Sequence, residues 1–244
     1  MNSKRGMWLG GQVLGTLSGP PLMLLNGPDE TGFSWAWLFP ALVPPWRIYA
    51  PELRSHGRGQ RPGCYSLELM RDDVIDWLDA FHLDGVTMAG CSIGGILACL
   101  IAEEQPGRIA RLVLKDPVPS PPPEHIAPGH PPVSPYFDWA DAPTLRRQLA
   151  DPDPAWRARL TEIAAPTLVI GGQASHVPLD KLAAMAGRIP DCRLITIPAG
   201  HEADERLPAE LTAALAAFLR GTRADSQPLT RKRTARLQRQ YSYT

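Results

Sequence analysis

The sequence predicts an α/β fold, with a mostly parallel, doubly wound sheet covered by helices on both faces. Short apolar runs alternate with stretches of helical periodicity along most of the chain, which is typical of parallel sheets. With 244 residues, of which 44% are apolar, the chain can bury one core of ordinary size. We therefore expect a main domain over residues 20–220, a lead-in over 1–19 and a tail over 221–244.

The predicted strands are short apolar runs bounded by residues that favour turns. Asn26-Gly27-Pro28 ends the first run and Pro51 ends the second, because glycine and proline interrupt regular secondary structure. In chain order, strands are predicted at residues 22–25, 47–50, 86–89, 109–114, 167–170 and 193–197.

The predicted helices lie between these strands and after the last of them. Residues 67–81 carry apolar side chains three and four positions apart, which is the stripe of an amphipathic helix. The next helix ends before Pro106, and we expect Glu103 and Glu104 near its end to be solvated. In chain order, helices are predicted at residues 67–81, 93–104, 178–188 and 203–219.

A proline-rich segment interrupts this alternation after Asp116. Twelve of the 27 prolines lie between residues 117 and 154, and proline cannot continue a sheet because it lacks an N–H donor. Residues 117–163 are therefore predicted to form a small lid insertion. The aromatic residues Tyr136, Phe137 and Trp139 favour a structured lid over the alternative, a disordered surface loop.

Charge and composition exclude several classes of partner. The tail at 221–244 holds six basic side chains and one acidic one, so the rest of the chain carries five excess acidic charges. We expect no nucleic-acid partner, because an acidic body lacks the basic surface that such binding needs. No run approaches the length of a membrane span, and the four cysteines lack metal-ligand spacing. The expectation is a cytoplasmic protein with no membrane partner, metal or cofactor; its oligomeric state stays open.

One glycine-rich motif carries the chemistry. Gly90-Cys91-Ser92-Ile93-Gly94 fits the pattern G-x-S-x-G, with a predicted strand before it and a predicted helix after it. In this context two glycines permit a sharp turn that exposes the serine at the edge of the sheet. The helix N-terminus then offers backbone donors to a developing oxyanion. The motif predicts a nucleophilic Ser92; the alternative is a glycine-rich packing turn.

Four further segments accompany this motif in a consistent order, namely Asn26-Gly27-Pro28 and residues 54–59, 166–172 and 197–202. They resemble the oxyanion loop, the R-G-H-G-x-S loop, the penultimate strand and the histidine loop of the α/β-hydrolase family. The resemblance spans roughly residues 20–220 and implies that Ser92 works with a histidine and a carboxylate.

The resemblance assigns the general base to His201, which follows a strand and Gly200. An imidazole at this place can take the serine proton and return it to the leaving group. The acid departs from the family pattern, because residues 171–178 contain no carboxylate. Asp116 is predicted to replace it, at the end of the preceding strand. The alternative is that Asp116 only starts the turn at Pro117.

The oxyanion loop departs from the family pattern as well. Ile93 is predicted to supply one backbone N–H, because it follows the nucleophile. The second donor normally comes from the position held here by Pro28, which has no N–H. The second donor is therefore expected from Asp29, from the side-chain amide of Asn26, or from nowhere, and losing one donor slows acyl transfer about 10²–10³-fold.

These residues predict a serine hydrolase that acts on a small apolar or aromatic ester, thioester or lactone through an acyl-enzyme. A serine nucleophile argues against the epoxide-hydrolase and dehalogenase branches of the family. The alternative is a protein of the same fold with a ligand-binding or non-hydrolytic role, such as a lyase or cyclase. The predicted substrate pocket is lined by Pro28, Phe33, Trp35, Tyr136, Phe137 and Trp139.

Overall fold

The computed structural model describes residues 10–28, 35, 42, 46–54, 56, 59–119, 142–197 and 215–221. Among these residues the strands are β1 Gly11–Gly15, β2 Pro21–Leu25, β3 Arg47–Pro51, β4 Val86–Cys91, β5 Ile109–Lys115, β6 Thr167–Gly172 and β7 Cys192–Ile197. The helices are α1 Leu67–Ala80, α2 Ile93–Glu104, α3 Pro143–Ala150, α4 Pro154–Arg159 and α5 Leu179–Ala186. A 3₁₀ turn at Leu160–Glu162 follows α4, and residues 215–219 are helical.

The seven described strands form one sheet in the order β1-β3-β2-β4-β5-β6-β7. All neighbours pair in parallel except β1, which is antiparallel to β3. The carboxyl ends of β2 to β7 therefore meet at one edge. The predicted α/β class with a mostly parallel sheet is confirmed. The sequence analysis did not predict β1, whose five residues are all exposed and include two glycines.

Both faces of the central strands of the sheet are buried. Along β2, Met23 and Leu25 belong to one core cluster, whereas Leu22 and Leu24 belong to another. Since successive strand residues point to opposite faces, the two clusters lie on the two sides of the sheet. The first cluster contains side chains of α1 to α5, and the second contains side chains of the helical residues 215–219. We refer to these as the first and second core clusters.

Local signals explain why α1 begins where it does. Ser66 has an extended backbone and its hydroxyl accepts a hydrogen bond from the Leu69 N–H at 3.2 Å, which satisfies one of the free donors of the first turn. Met70, Val74 and Leu78 follow at helical spacing and are fully buried. The predicted amphipathic helix at 67–81 is thus present and ends one residue earlier.

The described half of the predicted insertion packs on the body. Leu145 of α3 and Leu160 after α4 are buried in the first core cluster. Gln148 accepts a hydrogen bond from the Leu67 N–H at 3.0 Å and donates to Glu68, so α3 caps the start of α1. Residues 120–141 lie outside the described residues, so a lid over Ser92 stays a prediction.

Glu103 corrects one expectation from the sequence. Its side chain is 0% exposed, although we expected it to be solvated, while the side chain of Glu104 is 42% exposed. The difference arises because Glu103 lies under Arg159 at the end of α4, with 3.3 Å between Arg159 Nε and Glu103 Oε2. Helical periodicity alone could not show that a second layer of helices covers this face of α2.

The described helices include none that is both long and apolar enough to span a bilayer.

Candidate active site

Ser92 occupies a sharp turn between β4 and α2. Its backbone has φ 50° and ψ −120°, outside the conformations that a serine ordinarily adopts. The neighbouring glycines make the turn possible, because a Cβ at Gly90 would lie 2.4 Å from the carbonyl oxygen of Gly94. A Cβ at Gly94 would lie 2.3 Å from the Leu25 carbonyl oxygen. The side chain of Ser92 is half-buried at the carboxyl edge of the sheet.

Strand β5 brings Asp116 beside this turn. Cys91 of β4 pairs with Lys115 of β5, and the Ser92 N–H donates to the Lys115 carbonyl oxygen at 2.9 Å. Asp116 is the next residue, so the proposed nucleophile and the proposed acid follow neighbouring strand ends. This proximity depends on the order of the strands, since the two residues are far apart in sequence.

The backbone and carboxylate of Asp116 are both held in place. Asp116 is fully buried, and its φ of 46° is rare for a residue other than glycine. Its N–H donates to the Ile170 carbonyl oxygen at 3.0 Å, and its Oδ1 accepts from the Gly172 N–H at 3.2 Å. The first carboxylate after β6 is Asp180. It is exposed in the first turn of α5 and is not held in this way. A buried, oriented carboxylate of this kind can orient an imidazole.

Asn26 lies at the end of β2, on the other side of β4. Its side chain is 5% exposed, and its Oδ1 has no hydrogen-bond partner within the described part of the chain. The close approach of Gly94 brings the first turn of α2 against the backbone of Leu25 and Asn26. The loop that carries Asn26 therefore lies next to the helix turn that begins at Ile93. Pro28 is half-buried in the same loop.

Several residues predicted for the site cannot be placed. His201, Asp29, Phe33, Tyr136, Phe137 and Trp139 lie outside the described residues. Trp35 is described and is 1% exposed, in the second core cluster. This is a core position, and nothing in the described residues supports its predicted contact with a substrate.

The loop after β3 is held by a buried ion pair. Arg54 donates from Nε and Nη2 to the carboxylate of Asp73 at 2.7 and 2.8 Å, and from Nη1 to the Cys64 carbonyl oxygen at 3.1 Å. His56 is 2% exposed, and its Nδ1 lies 3.0 Å from the Arg54 carbonyl oxygen. The sequence analysis found this loop through its motif but did not predict the partner Asp73.

Lys115 is a residue of the site that the sequence analysis assigned no role. Its side chain is 1% exposed, which is rare for lysine. It shares a sheet face with Cys91. The sequence feature that could have indicated its burial is a lysine at the end of an apolar strand, directly before the predicted acid.

Burial affects two of the cysteine thiols. None of the four cysteines forms a disulfide in the described structure, and burial raises the pKa of Cys99 well above its ordinary value and that of Cys192 to about 12. Such thiols stay protonated near neutral pH. Within the described ranges, no group of three or more His, Cys, Asp or Glu side chains could hold a metal ion.

A surface cavity of about 450 Å³ lies away from this edge. It is formed by the turn between α3 and α4 and by the end of α5, and its lining includes Asp151, Arg157 and Arg188. None of the residues discussed above contributes to it.

Residues 20–143, just over half of the chain, match the family described as alpha/beta hydrolase fold. The chain therefore belongs to the α/β-hydrolase fold family, which confirms the resemblance drawn from its motifs.

Individual proteins agree with this assignment. The structure is similar to that of a hydrolase from Pseudomonas aeruginosa PA01, with 28% identity, a TM-score of 0.69 and coverage of 90% of this chain and 97% of that one. It also resembles a thermophilic esterase from Thermogutta terrifontis, with 24% identity, a TM-score of 0.73 and coverage of 90% and 96%.

A haloalkane dehalogenase from Mycolicibacterium paratuberculosis is 32% identical over 108 residues, which cover 41% of this chain and 35% of that protein. The match thus spans about a third of the length of this relative.

Proposed function

We propose that the protein is a serine hydrolase that cleaves a small apolar or aromatic ester, thioester or lactone. The observation that carries this proposal is the strained turn at Ser92, between β4 and α2, beside the buried carboxylate of Asp116. Strain of this kind is typical of functional sites. The likeness to a hydrolase of 28% identity supports the reaction class.

In the proposed mechanism, the Ser92 Oγ attacks the carbonyl carbon while His201 removes its proton. The resulting tetrahedral oxyanion collapses, the bond to the leaving group breaks, and His201 returns the proton to that group. Water then attacks the acyl-enzyme by the same route and releases the acid and Ser92. Asp116 orients His201 and stabilises its charged form.

The oxyanion is assigned two donors of different kinds. The Ile93 N–H stands at the N-terminus of α2, where the helix dipole favours negative charge. Asn26 is assigned the second donor through its side-chain amide, with the Asp29 N–H as the other candidate. The Asn26 amide suits this role because the side chain is buried in the loop after β2, and the first turn of α2 packs against the backbone of that loop. Pro28 cannot donate.

Substrate preference is the less constrained part of the proposal. Aromatic residues predicted around the site, among them Phe33, Tyr136 and Trp139, favour an apolar acyl or aryl group. The relative named as a dehalogenase does not change the reaction class, because the residue at the turn is a serine, and dehalogenation in this family calls for a carboxylate nucleophile.

Labelling with a fluorophosphonate probe tests the proposal. We expect the full-length protein to be labelled at Ser92 and to hydrolyse short nitrophenyl esters. Ser92→Ala should abolish both while the circular-dichroism spectrum and melting temperature stay close to those of the wild type. Retention of more than about a tenth of the wild-type rate by Ser92→Ala would exclude the covalent mechanism, because loss of the nucleophile costs orders of magnitude.

A second candidate is a ligand-binding or non-hydrolytic role on the same fold. It is favoured by Pro28, which removes the backbone donor that an acyl-transfer enzyme would use. The same probe separates the two candidates, since labelling requires an activated hydroxyl. A properly folded protein whose Ser92 stays unlabelled would favour this second candidate.

A further inference from the structure

The first turn of α2 packs directly against the turn that carries Asp116. Gly95 lies three residues after Ser92 and is buried, and Pro117, the residue after Asp116, is buried as well. A Cβ added at Gly95 would lie 2.8 Å from the Pro117 Cβ, which is shorter than real contacts of this kind, and 3.3 Å from its Cα; its other near neighbour would be the Gly90 carbonyl oxygen at 3.1 Å. The missing side chain at position 95 thus sets how closely the Asp116 turn approaches the helix.

Asp116 cannot shift freely away from such a contact. On the side of β6, its N–H is bonded to the Ile170 carbonyl oxygen and its carboxylate accepts from the Gly172 N–H. Its φ of 46° lies in a narrow allowed region. A group that pushes on Pro117 from α2 would therefore either distort this conformation or break these hydrogen bonds.

We propose that Gly95 is a positioning residue, whose lack of a side chain sets the place of the Asp116 carboxylate relative to Ser92. This inference rests on the proposed function, in which Asp116 orients the general base. Ser92 and Gly95 belong to the same helical turn, so one rigid element fixes both the nucleophile and the distance to the acid. Gly94 differs, because it faces the backbone of Leu25 at the turn itself.

The experiment introduces Gly95→Ala into the wild type and into Asp116→Asn, with ester hydrolysis as the readout. In the wild-type background, kcat should fall at least about tenfold with little change in KM, because small displacements of catalytic groups are costly. In the Asp116→Asn background, the same change should alter kcat less than about twofold, since the group that it displaces no longer functions. Gly107→Ala is the matched control, because a Cβ there meets no atom within 4 Å.

A pH profile separates positioning from a loss of stability. A carboxylate close to an imidazole raises its pKa, so displacing Asp116 should lower the pKa of the general base. The acid limb of kcat/KM should therefore move to lower pH in Gly95→Ala, in the direction that Asp116→Asn produces. A variant that is merely less stable would show a lower kcat/KM at every pH, but the pH of its acid limb would not change.

Pro117→Gly opens the same contact from the other side and gives a second test if Gly95→Ala does not fold. It should lower kcat only when Asp116 is present, and combined with Gly95→Ala it should restore part of the lost rate. The proposal would be overturned if each substitution lowered kcat by the same factor in the wild type and in Asp116→Asn. It would also be overturned if neither substitution changed kcat in the wild type. If Asp116→Asn itself has no effect while Ser92 is still labelled by the fluorophosphonate, the positioning role is wrong and the hydrolase assignment stands. An unlabelled wild-type Ser92 would instead reject both.

Discussion

Ser92 adopts a backbone conformation that costs free energy in the folded protein. A non-glycine residue held in such a region is destabilised by about 1–3 kcal/mol, and the surrounding packing must compensate. Here the compensation comes from the close contacts of Gly90 and Gly94 and from the Ser92 N–H bond to Lys115. This conformation lies at the carboxyl edge of the sheet, where the proposed function needs the hydroxyl, so the proposed reactivity and the stability are opposed at this residue.

Comparing glycine with alanine at position 92 should measure the free energy that this backbone conformation costs. We expect Ser92→Gly to be about 1 kcal/mol more stable than Ser92→Ala, because glycine adopts positive φ without steric cost. Chemical denaturation of both variants measures the difference. His82, exposed with φ 51° after α1, is the control: His82→Gly should also be more stable than His82→Ala while activity stays unchanged. Equal stabilities of the two Ser92 variants would show that the turn is not strained.

Substitution of Asp116 tests its proposed role as the acid that orients His201. Asp116→Asn should keep the fold, because an amide oxygen can still accept from the Gly172 N–H. It should lower kcat at least about 10²-fold, since the amide supports the wrong imidazole tautomer. Steady-state kinetics should show far smaller effects for Asp180→Asn and Asp204→Asn. A near-normal rate for Asp116→Asn would mean that another carboxylate, or none, serves His201.

At the scale of elements, α2 begins directly after the proposed nucleophile and carries a buried carboxyl group near its end. Glu103, eleven residues after Ser92, has a fully buried side chain whose Oε1 lacks a partner among the described residues. Burial raises the pKa of Glu103 to about 7, against the opposing effect of Arg159, while Glu162 and Glu104 raise it further. The fully buried Cys99 interacts with this carboxyl from the same helix. Because α4 covers this part of α2, we expect the stability of the protein to depend on the ionisation of Glu103.

The sign of the effect follows from the raised pKa. Glu103 binds a proton more tightly in the folded state, so its stabilising contribution is present below the unfolded pKa of about 4.5 and is lost as pH rises through about 7. Glu103→Gln removes this dependence. The melting temperature of the variant relative to the wild type should therefore be a few degrees higher at about pH 8 than at about pH 5.

Glu104→Gln is the matched control on the same helix. Its side chain is 42% exposed and pairs with Arg71, so its effect should be small and similar at both pH values. A relative melting temperature of Glu103→Gln that does not change with pH would show that Glu103 ionises normally in the folded protein.

At the scale of the whole molecule, two core clusters hold the sheet from opposite faces. The second of them includes Leu215 and Leu219, which are 0% and 2% exposed. This cluster lies under the strands whose ends carry Ser92 and Asp116. The described end of the chain is therefore part of the structure that supports the site.

Two truncations separate the tail from this support. Removal of residues 222–244 should leave the melting temperature and the activity nearly unchanged, because this segment is basic and polar and offers little apolar surface to bury. Removal of residues 215–244 should destabilise the protein strongly, since it also deletes buried leucines. Thermal unfolding of both proteins measures this. A drop of several degrees for the shorter truncation would show that the tail docks on the body.

The elements were predictable because their signals are local. Apolar runs, the stripe of α1 and the glycines around Ser92 each lie within a short window, and β2 to β7, α1, α2 and α5 follow them closely, whereas α3 was not predicted. Strand β1 was not predicted, because an exposed edge strand that contains glycines lacks a run of apolar residues. The histidine proposed as general base lies outside the described residues, so its place stays a prediction.

The sequence by itself determined the α/β class, the turn at Ser92 and its assignment to a family, because these depend on neighbouring residues. Only the tertiary structure decided which residues surround that turn. The place of Asp116 follows from the pairing of β4 with β5, and the burial of Lys115 and Glu103 follows from what covers the sheet and α2. Contacts of this kind join residues distant in the chain, and one sequence carries no local signal of which distant segments will meet.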